Sequence, residues 1–215
     1  MIRRWLLLCV LALASDGAAW ADALPLNQQP MFGGQEKNAA MKAADAEFLE
    51  SVGKQGLARE EGARQAIALG WSYFAKRDLP TAMKRFNQAW MLDPENGDAY
   101  HGFAVVSASR GAAPAELEKL FLLAVSKPRH NARATVDYGR FLWTQGKLDQ
   151  SLVQLDKALA ESPKAFNARS NMAFVYYRKK DFVKACEWAK GARGNGDELE
   201  PGFLEDMCRR GGRPG

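Results

Sequence analysis

The chain has 215 residues, of which 26% are charged, and its formal net charge is +5 at pH 7. This length is sufficient for one sizeable domain with its own apolar core. Charges of both signs alternate along the sequence, which is typical of a solvated surface. The mildly basic balance is compatible with weak attraction to acidic partners, but the chain has no nucleic-acid-binding motif and carries a secretion signal, so nucleic acid is not expected as a partner.

The first 21 residues have the three parts of a secretion signal. Arg3 and Arg4 precede an apolar run over residues 5–14, and a small-x-small cleavage site ends at Ala21. The apolar run is about half as long as a membrane span. Lipidation at Cys9 is disfavoured because a leucine precedes this cysteine inside the apolar run. We therefore expect cleavage after Ala21 and secretion across the inner membrane into a bacterial periplasm.

Two segments precede the regular part of the sequence. Residues 22–38 are rich in proline and glycine and predict an extended linker. Within it, Phe32 either packs on the helix that follows or belongs to a strand that docks a partner. Residues 39–56 predict that helix, because apolar residues recur at helical spacing until Gly53 and Gly56 end it. The helix either covers the open end of the following domain or binds a partner.

Residues 57–198 contain four copies of one pattern of small and large residues. The copies occupy about residues 63–96, 97–131, 132–165 and 166–198, so they begin 34, 35 and 34 residues apart. The clearest copy consists of Leu69, Gly70, Tyr73, Ala82, Phe86, Ala89 and Pro94.

This pattern resembles the tetratricopeptide-repeat (TPR) superfamily over about residues 58–210. The resemblance implies an all-α fold, a right-handed α-solenoid of about four helical hairpins. Small residues such as Gly70 and Gly139 then lie where the two helices of a hairpin approach most closely, and a bulky side chain there would cost about 1–3 kcal/mol.

Residues 199–210 predict a C-terminal capping helix, followed by a tail at 211–215. Cys186 and Cys208 are the two cysteines that remain after signal cleavage. In an oxidising compartment they are a candidate disulfide, which would stabilise the fold by about 3 kcal/mol. The alternative is two buried free thiols. Two cysteines alone fall short of the usual four zinc ligands, so no metal is expected.

The sequence lacks the convergent groups that catalysis requires. Its two histidines, His101 and His130, are 29 residues apart, and no nucleophile motif or phosphate-binding loop accompanies them. We expect no enzyme activity, no catalytic residue and no cofactor.

The resemblance also implies a concave groove lined by the first helix of each hairpin. Carried over to this sequence, the groove residues are Arg64, Trp71, Phe74, His101, Arg133, Arg140, Trp143, Asn167, Asn171, Phe174, Tyr177 and Arg178. Aromatic and arginine side chains are frequent at binding hot spots. An alternative for Phe74 and Phe174 is packing into the next repeat. The carboxylate clamp of cytosolic chaperone adaptors is not reproduced, because Ile67 and Trp71 stand at its positions.

These features predict a non-catalytic periplasmic scaffold that binds a peptide segment or helix of an envelope protein. By analogy of fold, the machines it could serve include pilus assembly and outer-membrane complexes. Two rival interpretations are a glycan-binding or exopolysaccharide-export accessory module and a structural component that associates with itself. The sequence leaves the oligomeric state open.

Overall fold

A computed structural model describes residues 24–212 as ten α-helices and two short 3-10 helices. The predicted signal peptide, Cys9 and the last three residues of the tail lie outside the described residues. The α-helices are α1 (Ala39–Lys54), α2 (Arg59–Ala75), α3 (Leu79–Leu92), α4 (Gly97–Ser109), α5 (Pro114–Ser126), α6 (Ala132–Thr144), α7 (Leu148–Glu161), α8 (Ala168–Arg178), α9 (Phe182–Asn195) and α10 (Phe203–Arg210).

Helices α2 to α9 form four consecutive hairpins, and each hairpin packs on the next. This arrangement is the α-solenoid that the repeated pattern predicts. Asp78 and Asp181 begin α3 and α9 by accepting hydrogen bonds from the backbone N–H groups of Thr81 and Lys184. Within residues 24–212, none of the helices is both long and apolar enough to cross a membrane.

Small residues allow the helices of the core to approach closely. The ring of Phe86 is fully buried between Gly70 of α2 and Gly102 of α4. A Cβ atom at Gly70 would lie 2.6 Å from Cε1 of this ring. In the third hairpin, a Cβ atom at Gly139 would lie 2.8 Å from Cγ of Leu155. The glycines are therefore required by packing.

The segment before α1 is not the extended linker that its composition predicts. It forms 3-10 helices at Leu26–Gln28 and Pro30–Gly34, and we call residues 24–35 the N-terminal strap. Its Phe32 is buried and packs near Trp90 of α3, with ring centroids 6.3 Å apart. The structure thus places Phe32 against α3 of the first hairpin, which neither of the two predictions for this residue anticipated.

Asn87 of α3 holds the N-terminal strap in place. Its buried amide accepts a hydrogen bond from the N–H of Phe32 (3.3 Å) and donates to the carbonyls of Asn27 (3.1 Å) and Gln29 (2.8 Å). These bonds hold a backbone in which Met31 and Phe32 both have φ above +50°. Non-glycine residues adopt this left-handed conformation at a cost of about 1–2 kcal/mol each, so tertiary contacts must impose it.

Helix α1 packs on the first hairpin mainly through its C-terminal end. Val52 of α1 is buried together with Ala63 of α2 and Leu92 of α3, and Phe48 and Leu49 pack against them. The N-terminal half of α1 is largely exposed, including Met41 at 38%. The sequence left two roles open for this helix, a cap on the repeat domain or a binding element for a partner. The contacts of its C-terminal end are those of a cap.

At the other end, α10 packs on α9 and covers the last hairpin. A disulfide joins Cys186 of α9 to Cys208 of α10, with their Cα atoms 4.7 Å apart. Leu204 and Met207 of α10 are buried against α9. The helix begins four residues later than the segment predicted from the sequence, because Gly202 in a left-handed conformation precedes it.

Candidate partner-binding groove

Four aromatic side chains form a continuous row on the first helices of the last two hairpins and on α10. We call Trp143, Phe174, Tyr177 and Phe203 the aromatic row. Trp143 stacks on Phe174 with centroids 6.0 Å apart and planes inclined by 15°. Phe203 lies 4.4 Å from Phe174 and 5.9 Å from Tyr177. Tyr177 is 37% exposed and the other three are partly buried, so the row is partly accessible to solvent.

Two of the predicted groove residues support this row instead of facing solvent. Asn171 accepts a hydrogen bond from Nε1 of Trp143 (2.9 Å) and donates to the carbonyl of Asn167 (2.7 Å). Its amide is buried, so Asn171 orients Trp143 and does not reach a partner. Oδ1 of Asn167 accepts from the N–H of Glu198 (2.8 Å) and thereby joins α8 to the segment before α10.

Arg140 and Arg178 lie beside the aromatic row and are exposed. Arg140 precedes Trp143 by three residues on α6, and Arg178 follows Phe174 by four residues on α8. Side chains with these spacings share one helix face. Within residues 24–212, neither guanidinium has an ion pair or a side-chain hydrogen bond, so both are available to a ligand.

The predicted groove residues Trp71, Phe74 and Arg133 lie in the first half of the groove. They leave less surface for a partner, because their side chains contact neighbouring side chains. Trp71 packs edge-on against Phe74 and Phe86, with centroids 5.8 and 5.2 Å apart. Cζ of Arg133 lies 5.0 Å from the centre of the Trp71 ring, and Nε of Arg133 is 3.7 Å from Oδ2 of Asp137. The guanidinium of Arg133 therefore covers Trp71.

The resemblance predicts His101 on the groove surface, and this prediction is wrong. The side chain is fully buried, with its ring centroid 5.0 Å from that of Trp71. Nε2 of His101 is hydrogen-bonded to Oδ2 of Asp137 at 2.8 Å, which joins α4 to α6. A partner cannot touch this side chain without opening the solenoid.

Arg64 is exposed but already paired. Both its Nε and its Nη2 donate to the carboxylate of Glu61, one turn earlier on α2. These bonds lower the pKa of Glu61, so the pair stays ionised at neutral pH. Arg64 consequently offers a partner less unbalanced charge than Arg140 or Arg178.

Phe203 is the groove residue that sequence reasoning missed. Its position on the capping helix predicts a side chain that packs inward, and helical periodicity places it on the same apolar face as Leu204 and Met207. Only the orientation of α10 across α8 brings its ring to Phe174. Among residues 24–212, no group of three His, Cys, Asp or Glu side chains could hold a metal ion.

No family model matches the chain. The type IV pilus assembly protein PilF of Pseudomonas aeruginosa is 25% identical over 132 residues, which are 60% of this chain and 52% of PilF. The chain thus spans about half the length of the curated relative that it matches. The solved structure of PilF has a TM-score of 0.63 at 22% identity and covers 71% of this chain and 70% of its own.

Two other solved structures have the same fold. PilW, a widely conserved type IV pilus biogenesis factor, has a TM-score of 0.59 at 17% identity, with 80% of this chain and 78% of PilW covered. YrrB, a TPR protein with an unusual peptide-binding site, has a TM-score of 0.54 at 17% identity, with 77% of this chain and 80% of YrrB covered. This chain has the helical-hairpin fold of these TPR proteins. Its four hairpins correspond to the repeats of that fold, and α1 and α10 are additions at the two ends of the array.

Proposed function

We propose that this protein is a non-catalytic interaction scaffold whose groove binds a peptide segment or helix of another protein. The observation that carries the proposal is the aromatic row with its two unpaired arginines. Rigid aromatic side chains and arginines contribute a large share of the free energy at protein interfaces. A micromolar complex requires about 8 kcal/mol in total, which a few such anchors can supply.

The cellular setting that we propose is the bacterial envelope, with type IV pilus assembly as the process. The relatives PilF and PilW are both named for pilus assembly or biogenesis. The signal sequence predicted at residues 1–21 favours export to the periplasm. If the mature protein begins at Asp22, N-terminal sequencing of material from the cell of origin will find that residue first.

Site-specific photocrosslinking in the cell of origin tests the proposal. A photoreactive amino acid at position 140 would stand beside the aromatic row, and the same group at position 153 would stand on α7, where Val153 is 63% exposed. We expect an adduct with an envelope protein from position 140 and a much weaker one from position 153. Equal adducts from both positions, or none from position 140, would contradict binding in the groove.

The identity of the adduct then tests the process. An adduct with a component of a type IV pilus machine supports a role in pilus assembly. An adduct with another envelope protein would support the role as an interaction scaffold and contradict the role in pilus assembly. An adduct with a second copy of the same chain would instead support the interpretation as a self-associating component.

A further inference from the structure

The cationic side chains along the groove differ in how they are neutralised. In the first half, Arg64 is bonded to Glu61, and Arg133 lies between Trp71 and Asp137. In the second half, Arg140 and Arg178 have no such partner among the described residues. Opposite charges favour association and like charges disfavour it. The second half of the groove therefore prefers an anionic ligand, whereas the first half has little preference for the charge of a ligand.

The spacing of the two free arginines is set by the helices. Helices α6 and α8 run parallel, because each begins its own hairpin and α7 lies between them in antiparallel orientation. Trp143 and Phe174 stack side by side, with Arg140 one turn before this stack and Arg178 one turn after it. Three steps separate Arg140 from Trp143 on α6 and four steps separate Phe174 from Arg178 on α8, so the two arginines flank the stacked rings on opposite sides.

We propose that the occupant of the groove is an acidic peptide segment of a partner protein, with two carboxylates and an apolar side chain between them. The carboxylates pair with Arg140 and Arg178, and the apolar side chain lies on the stacked rings of Trp143 and Phe174. This inference rests on the proposed function and specifies the chemistry of its ligand.

A helical segment meets this requirement directly. Carboxylates at positions i and i+7 of a helix lie about 10 Å apart on one face, and positions i+3 and i+4 lie between them on the same face. Guanidinium groups bind carboxylates with two parallel hydrogen bonds, which fixes the register of the segment as well as its charge. A neutral or basic segment would leave both guanidinium groups without partners.

Peptide display against the purified protein tests the inference and does not require the partner to be identified first. The probe is a library of random twelve-residue peptides, selected in parallel on the unmodified protein, on Arg140→Gln/Arg178→Gln and on Arg59→Gln/Arg77→Gln. The last variant is a matched control, because it removes the same charge from two exposed arginines of the first hairpin. Each enriched peptide is then compared with its Glu→Gln counterpart by fluorescence anisotropy.

We expect the unmodified protein and the control to enrich peptides with two acidic residues around an apolar one. Loss of each arginine should weaken binding by about two- to fivefold, the range for exposed ion pairs. Binding should also weaken between about 0.05 and about 0.5 M salt, because salt screens exposed charges.

The outcomes separate the two proposals. Enrichment of apolar peptides without acidic residues, or equal binding to Arg140→Gln/Arg178→Gln, overturns the acidic ligand and leaves the groove as a binding site. Peptides whose affinity is unchanged by Trp143→Ala bind elsewhere, which overturns the groove itself. Absence of any enrichment on the unmodified protein overturns both.

Discussion

The disulfide between Cys186 and Cys208 should decide whether α10 stays docked, and with it whether the aromatic row is complete. Burial of Leu204 and Met207 and half-burial of Phe203 contribute about 4–8 kcal/mol to docking. Ordering the eight residues of α10 costs about 12 kcal/mol, at about 1.5 kcal/mol per residue. Apolar contacts alone therefore fall about 4–8 kcal/mol short of this ordering cost.

The disulfide offsets part of this difference. It spans 22 residues of sequence, and closing a loop of this length stabilises the folded chain by about 3 kcal/mol in the chain-entropy model. In Cys186→Ser/Cys208→Ser we expect α10 to detach while α2 to α7 remain folded, because α10 packs mainly on α9.

Hydrogen exchange followed by mass spectrometry measures this effect segment by segment. The amides of α10 should lose nearly all protection in the double serine variant, and those of α2 to α7 should keep it. Phe203→Ala, with the disulfide intact, is the matched control that removes only the ring from the aromatic row. If α10 keeps its protection in the double serine variant, the estimate of docking energy is refuted.

Three further predictions concern packing, the N-terminal strap and pH. Gly70→Ala should destabilise the protein by about 1–2 kcal/mol in urea unfolding, since overpacking against Phe86 outweighs the helix propensity of alanine. The loss of stability should vanish in a Phe86→Leu background, and a loss that persists there would contradict the packing argument. Asn87→Ala should speed hydrogen exchange at Phe32 and its neighbours, because three strap groups lose their partner at about 1–3 kcal/mol; unchanged exchange would show that Asn87 is dispensable. A hydrogen bond from an arginine of α9 lowers the pKa of Glu205 below 4.5, so this group stabilises docking of α10 above that pH and loses the effect as pH falls through the folded pKa. In the disulfide-bonded protein, acid should therefore weaken the docking of α10, measured by tryptophan fluorescence, and Glu205→Gln should remove this acid-dependent part.

Much of the fold follows from the sequence because repeat packing is local. Each hairpin buries small residues against large ones at fixed offsets, so the register of Gly70 and Phe86 can be predicted from the sequence alone. The N-terminal strap is different. Asn87 meets Phe32 across 55 residues of sequence, and no local signal predicts that an amide will impose left-handed backbone on Met31.

The groove also has features that the sequence predicts and features that depend on contacts distant in sequence. The resemblance to TPR proteins implies which positions of each first helix line the groove, and the structure places Arg140, Trp143 and Tyr177 on one continuous surface. The resemblance does not indicate which of these side chains are already bonded to another part of the protein. His101 and Asn171 lie at predicted groove positions, but one is bonded to Asp137 and the other to Trp143.

The sequence by itself determined the repeat, the helical hairpins and the pair of cysteines at the C-terminal end, because these depend on residues close in sequence or on composition. The tertiary structure alone decided that Phe203 joins the aromatic row, that Arg133 covers Trp71, and that Arg140 and Arg178 remain unpaired among the described residues. The physical reason is that a side chain becomes available to a partner only when no neighbour in space satisfies it, and those neighbours come from helices distant in sequence.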